Sequence, residues 1–191
     1  MKLEAKTLEN AFVRLEPITE AHRDGLRAAA QDFSIFRYFP NAALYKRDVD
    51  AFVDEMLANR SAGTWLPHAV IANGAVVGQT CYINPRARDR GVEIGGTWYT
   101  LEAQGGRINP AAKLLLLTHA FASGAERVEL KTDSENARSR AAILKLGASF
   151  EGVHRHHILR PDGTWRDTAW YSILRDEWPA ISAKLKARLA V

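Results

Sequence analysis

The sequence predicts an α+β (mixed α/β) fold, a central mixed, mostly antiparallel sheet of about seven strands flanked by helices. Three observations carry this prediction. Strand-like and helix-like runs follow one another in the order β-α-α-β-β-β-α-β-α-β-β-α. Asn73-Gly74 stands between two apolar runs, a strong short-range hairpin signal. In a single stretch, residues 92–132, a strand feeds a helix that returns to a strand, which puts one βαβ crossover at the centre of the sheet.

Phe12-Val13-Arg14-Leu15 reads as a short strand that Pro17 ends. Thr19 is suited to cap a helix over residues 20–30. Residues 32–47 are rich in rings (Phe33, Phe36, Tyr38, Phe39, Tyr45) and are broken by Pro40 and Asn41. Val49, Phe52, Val53, Met56 and Leu57 recur at helical spacing, and Gly63 closes that helix. Strands follow at 64–71 and 75–83, and another at 92–100 after the polar loop 85–91. Asn109 as N-cap and Pro110 as first helical residue start a helix over 111–123. A strand at 127–132 leads to a helix over 136–146, with Gly147 at its C′ position. Residues 150–159 and 164–174 form a hairpin across Pro161-Asp162-Gly163, and 176–190 reads as an amphipathic helix.

The 191 residues amount to a little over one domain. With 47% apolar and 25% charged residues, the balance is globular and excludes disordered and collagen-like classes. Cys81 is the only cysteine, so neither a disulfide framework nor a cysteine zinc site can form. Leu114, Leu115, Leu116 and Leu117 make one of the longest apolar runs, far short of the roughly 20 residues that span a bilayer. Residues 1–12 lack the apolar segment of a secretory signal. These features predict a soluble, cytoplasmic protein of one domain, 1–191, without a membrane partner. The formal net charge of +4 permits nucleic-acid binding without requiring it, and no basic-aromatic ladder accompanies it. His154-Arg155-His156-His157 is expected to give no metal site. Strand alternation sends neighbours to opposite faces, and no carboxylate or thiol stands at ligand spacing.

The chemistry concentrates where Gln104-Gly105-Gly106-Arg107-Ile108-Asn109-Pro110 joins a strand to a helix. The free N–H groups and dipole of the helix start face the strand's end, beside glycines that let a ligand approach closely. Arg107 adds a forked cation suited to phosphate. A well-capped helix after a tight turn is the plainer reading of the same spacing. No GxxxxGK[ST] or GxGxxG is present, which excludes a nucleotide P-loop and argues against a dinucleotide fold.

This segment, together with Lys131-Thr132-Asp133-Ser134-Glu135-Asn136-Ala137-Arg138-Ser139 and Lys145-Leu146-Gly147-Ala148, resembles the GNAT superfamily of N-acetyltransferases. The ending, with Pro161-Asp162-Gly163, Arg166-Asp167, Tyr171-Ser172, Leu174 and Glu177-Trp178, is similar to the RimJ/RimL-type branch that acetylates protein N-termini. Gln104 matches the first position of the family's Q/R-x-x-G-x-G/A loop. Arg107 and Asn109 depart from it, standing where small residues are expected.

The resemblance implies a split between strands four and five that takes the pantetheine arm of acetyl-CoA. It implies direct attack on the thioester by a primary amine in a ternary complex, without a metal. Cofactor contacts then fall on Trp98, Tyr99, Gln104, Gly105, Gly106, Arg107, Ile108, Asn109, Pro110, Asn136, Ser139 and Arg140. Backbone N–H groups near Trp98 and Tyr99 would stabilise the oxyanion. Many members use a tyrosine as donor to the departing sulfur; Ile143 holds that position here, and Ser139 is the candidate instead. Glu93 is the candidate base, with a cross-strand ion pair as the alternative. The expected acceptor is a protein or peptide N-terminal α-amine; a small-molecule amine and an acyl-CoA sensor without activity are the alternatives. A homodimer is compatible with all three.

Overall fold

The computed structural model describes residues 1–42 and 48–190, so Tyr45 of the ring-rich segment lies outside the described residues. The elements are β1 (Leu8–Glu9), β2 (Arg14–Pro17), α1 (Arg23–Ala29), α2 (Val49–Ser61), β3 (Trp65–Ala72), β4 (Ala75–Arg86), β5 (Gly91–Tyr99), α3 (Ile108–Ala122), β6 (Arg127–Asp133), α4 (Ala137–Leu146), β7 (Ser149–Leu159), β8 (Trp165–Leu174) and α5 (Trp178–Leu189). They form one eight-stranded sheet in the order β1-β2-β3-β4-β5-β6-β8-β7. The extra strand is β1, two residues paired with β2 and too short to register as a periodic pattern. The Asn10 side chain accepts from the Phe12 and Val13 N–H groups, and β2 begins at Arg14, two residues later than predicted. Asn73 and Gly74 both adopt positive φ, 51° and 77°, as a type I′ hairpin turn requires.

Alternation divides the strands between two cores. Val70, Tyr82, Val92, Val128, Tyr171 and Ile173 pack with Leu116, Leu117, Phe121 and Leu185 of α3 and α5. The neighbouring residues Ala69 and Cys81 turn to the other face, where with Trp98 they meet Leu26, Phe36, Phe52 and Met56. Helix α1 packs on β4 and α2 on β3, so this second cover is centred on the first half of the sheet.

The β5–β6 pair is parallel, and it is short: Gly91, Val92 and Glu93 pair with Arg127, Val128 and Glu129. Beyond Glu93, β5 continues to Tyr99 and β6 to Asp133 with no ladder between them. The cause lies on the other edge of β5. Gln79 pairs with Trp98 but Cys81 with Gly95, so Gly96 and Thr97 bulge opposite Thr80. Gly96 sits at φ +56°, a conformation that glycine adopts without strain. Such a bulge bends its strand and increases the local twist, which accounts for β5 leaving β6. The sheet therefore opens into a V just past Glu93.

Candidate active site

The mouth of the V is the segment from Gln104 to Pro110. Gly105 at φ +78° reverses the chain, and apart from the flanking residues no described atom stands within 4 Å of where a side chain at Gly105 or Gly106 would begin. The helix starts earlier than predicted. Arg107 holds the N-cap position in helical conformation, α3 begins at Ile108, and the Ala111 N–H donates to the Arg107 carbonyl at 2.9 Å. Asn109 is therefore not the cap, and Pro110 is the third helical residue, where its missing N–H is equally harmless. The tight glycine turn brings the chain into helical geometry too soon for Asn109 to serve. Its Oδ1 instead accepts from the Tyr99 hydroxyl at 3.2 Å, tying the helix to the end of β5. With no side-chain cap, the N–H groups of Gly105, Gly106, Arg107, Ile108 and Asn109 donate to no group among the described residues. Five free donors at the positive end of a helix form a cradle for an anion. The Arg107 guanidinium lies at the lip, 5.5 Å from the Phe12 ring centroid.

Gln104 braces this loop to both walls of the V. Its Nε2 donates to the Tyr99 carbonyl at 2.9 Å, and its Oε1 accepts from Arg138 of α4 at 2.6 Å. Arg140 points elsewhere: it donates to the Tyr171 hydroxyl at 3.1 Å and the Ser134 carbonyl at 3.1 Å. Of the two arginines, Arg138 meets the loop. On a helix, residues two apart diverge by about 200°, so only one of them can face the mouth.

The Thr100 N–H donates to the Val77 carbonyl at 2.9 Å, so alternation turns the Tyr99 N–H away from β4 and into the V. The Trp98 ring does not line the opening. It is buried edge-on to Phe36 and Phe52, at 5.3 and 6.3 Å between centroids, and contributes bulk under the bulge. On the opposite wall Asn136 caps α4, accepting from the Ser139 N–H at 3.0 Å, which leaves its Nδ2 free among the described residues. The Ser139 hydroxyl makes no hydrogen bond to any described residue, and Ile143, one turn on, is buried in the core.

Inside the V, Glu93 is almost fully buried and its Oε2 lies 2.9 Å from the Lys131 Nζ, so the cross-strand ion pair exists. Burial raises the Glu93 pKa, and Lys131 opposes that rise. The register extends this polarity. Glu129 faces Ser172, Lys131 faces Trp170 and Asp133 faces Thr168, all on the face that carries Glu93. The result is a polar trough along β5–β8. It includes a depression of about 470 Å³ between Glu129, Glu151, His154 and Trp170. The ring-rich segment touches it through the Tyr38 carbonyl, which accepts from Arg166, while Phe36 is core.

The strand alternation expected through the histidines does not hold. A bulge between His154 and Ile158, with His156 at φ +49°, breaks the alternation. His154 and His157 then share one face, 5.4 Å apart, both against Trp170. Three residues that the sequence analysis did not assign to the site stand in or beside it: Lys131, Arg166 and Lys113. Lys113 of α3 is buried beneath the β5 bulge, its Nζ 2.8 Å from the Thr97 hydroxyl. What could have revealed them is the strand register, which is a long-range property.

A gap between two strands of one sheet suits a narrow acyl-bearing arm, and free N–H groups at its mouth suit the phosphates of a long anionic carrier. Together they suit transfer of an acyl group from such a carrier. Comparison with known proteins places it further. The family model described as "Acetyltransferase (GNAT) domain" matches residues 13–149. A GCN5-related N-acetyltransferase from Brucella melitensis is 29% identical, with 98% of this chain and 86% of that one covered and a TM-score of 0.87. A chain from T. thermophilus, described as an acetyltransferase, is 32% identical over 99% of this chain and 100% of that one, TM-score 0.86. RimJ of Mycobacterium smegmatis, solved with CoA-disulfide, shares the fold at 23% identity, 97% and 95% coverage and a TM-score of 0.82. Comparison with the curated proteins finds no match. The chain belongs to the GNAT family, and it is an N-acetyltransferase.

Proposed function

We propose that this acetyltransferase modifies the N-terminal α-amine of a protein or peptide. The reading rests on the V past Glu93, with the Tyr99 N–H turned into it and five free N–H groups at its mouth. Those donors, the unobstructed Gly105 and Gly106, and Arg107 suit the phosphates of coenzyme A, with Gln104 and Arg138 fixing the loop. The RimJ likeness in fold and a CoA-type ligand in that structure support the same cofactor.

Acetyl-CoA supplies an acetyl thioester, whose C–S bond breaks as the C–N bond to the amine forms. The Tyr99 N–H is placed to donate to the oxygen that gains charge. Glu93, with its pKa raised by burial, accepts the amine's proton directly or through one water. The Ser139 hydroxyl, unpaired among the described residues, donates to the departing sulfur, and Asn136 Nδ2 is free to hold the arm above it.

A single, ion-paired base favours an amine that loses its proton easily. The α-amine titrates near 7.7–8.0 and lysine near 10.4, a difference in deprotonation of about 3 kcal/mol at neutral pH. The test offers acetyl-CoA with matched peptides carrying one free α-amine or one free lysine, and locates the acetyl group by mass spectrometry. Acetylation of the α-amine supports the reading. Exclusive lysine modification, or turnover of small amines alone, overturns it.

A further inference from the structure

Among the described residues, the far end of the trough holds one cation without a close carboxylate of its own. Lys131 has Glu93 at 2.9 Å, and Arg160 has Asp133 Oδ2 at 2.6 Å. Arg166 of β8 is buried, only 6% exposed, yet its Nε has no hydrogen-bond partner among the described residues. Its nearest carboxylate oxygen there is that same Asp133 Oδ2, 3.9 Å away and already taken by Arg160. Its one hydrogen bond to a described residue is a long one, 3.4 Å, to the Tyr38 carbonyl. A desolvated guanidinium with unmatched donors is costly unless a ligand completes it. The group it lacks is a carboxylate, which guanidinium binds in a matched fork.

The geometry points to Arg166 as the residue that reads an acidic side chain within the first two residues of the acceptor. This rests on the N-terminal reading above. The Glu93 carboxylate reaches forward to Lys131, and the Arg166 guanidinium reaches back towards Asp133. Those two β6 residues lie two positions apart, about 7 Å, which is the length of two residues of extended peptide. An amine presented to Glu93 thus places a side chain of its first or second residue at Arg166. The Asp167 carboxylate makes no ion pair with Arg166 among the described residues, and its Oδ1 accepts from the His156 N–H at 2.7 Å.

The experiment measures kcat/KM for three peptides identical except for Glu, Gln or Lys at position two, on wild type and on Arg166→Gln. The wild type is expected to favour Glu over Gln by about tenfold or more, as a charge-assisted contact implies, and to disfavour Lys further. Arg166→Gln should bring the Glu and Gln peptides within about twofold of each other, through KM more than kcat, while Arg166→Lys keeps part of the preference. Equal wild-type rates for Glu and Gln would overturn the inference alone, and need no variant to fold. A Glu preference that survives Arg166→Gln would also overturn it. Acetylation of none of the peptides would overturn the N-terminal reading and this inference together.

Discussion

Replacing Lys113 by methionine removes an ammonium group that the fold encloses beneath the β5 bulge. Its Nζ has only the Thr97 and Thr80 hydroxyls, at 2.8 and 3.3 Å, and no carboxylate in ion-pair contact among the described residues. Burial lowers its pKa from 10.5 to about 7, which corresponds to about 5 kcal/mol against the charged form. The folded state releases this proton well before the unfolded chain does. Wild-type stability therefore rises with pH between about 7 and 10.5, and below 7 the full penalty applies. At pH 7 the group is about half charged and the penalty is about 4 kcal/mol. Methionine has a similar length, and Thr80 and Thr97 keep their mutual bond of 2.8 Å. Losing the lysine's own hydrogen bonds costs about 1 kcal/mol. Lys113→Met should accordingly be about 3 kcal/mol more stable than wild type at pH 7, and no more stable than wild type near pH 10.5. Urea unfolding of both proteins at several pH values reads this directly. Parallel stability-against-pH curves would refute the reasoning, because they would mean that Lys113 titrates alike in both states.

Three further outcomes follow from the site and the core. Ser139→Ala should lower kcat by about tenfold or more with little change in KM for acetyl-CoA, since the donor acts as the sulfur gains charge; stopped thiol-release assays decide it. Glu93→Gln should impair acetylation more at pH 6.5 than at pH 9. Only a few per cent of an α-amine near pKa 7.8 is free at pH 6.5 and most is free at pH 9, so a pH-independent loss would reject the base. Leu116→Ala, at a fully buried position of α3, should cost about 2–5 kcal/mol of unfolding free energy and leave CoA binding intact.

The local grammar of the chain was readable because it depends on neighbours in sequence. Asn73-Gly74 makes its hairpin, and Gly147 ends α4 at φ +107° with its N–H returning to the helix. The apolar spacing of Phe52, Val53 and Met56 places those residues of α2 in the core. Element order therefore emerged nearly complete. What escaped depends on contacts distant in sequence. Asn109 looked like a cap, yet Tyr99 claims its side chain and the Gly105 turn starts the helix before it. Arg138 and Arg140 are equivalent by composition, and only the position of Gln104 distinguishes them. The His154–His157 pairing needs a bulge that the β7–β8 register imposes. Lys131 and Arg166 belong to the trough because β6, β8 and β5 lie side by side, a fact of topology that no local pattern carries.

The most direct test of the central claim is a titration of the protein with coenzyme A, followed by backbone amide NMR. The N–H groups of Tyr99 and of Gly105 to Asn109 have no partner among the described residues, so they should acquire one and shift most. Amides of β1–β3 and the β7–β8 turn should stay in place. Large shifts confined to Tyr99 and the 105–109 segment are the predicted result. Binding that leaves those amides unmoved, or moves the far edges of the sheet instead, would contradict the assignment of the split between β5 and β6 as the acetyl-transfer site.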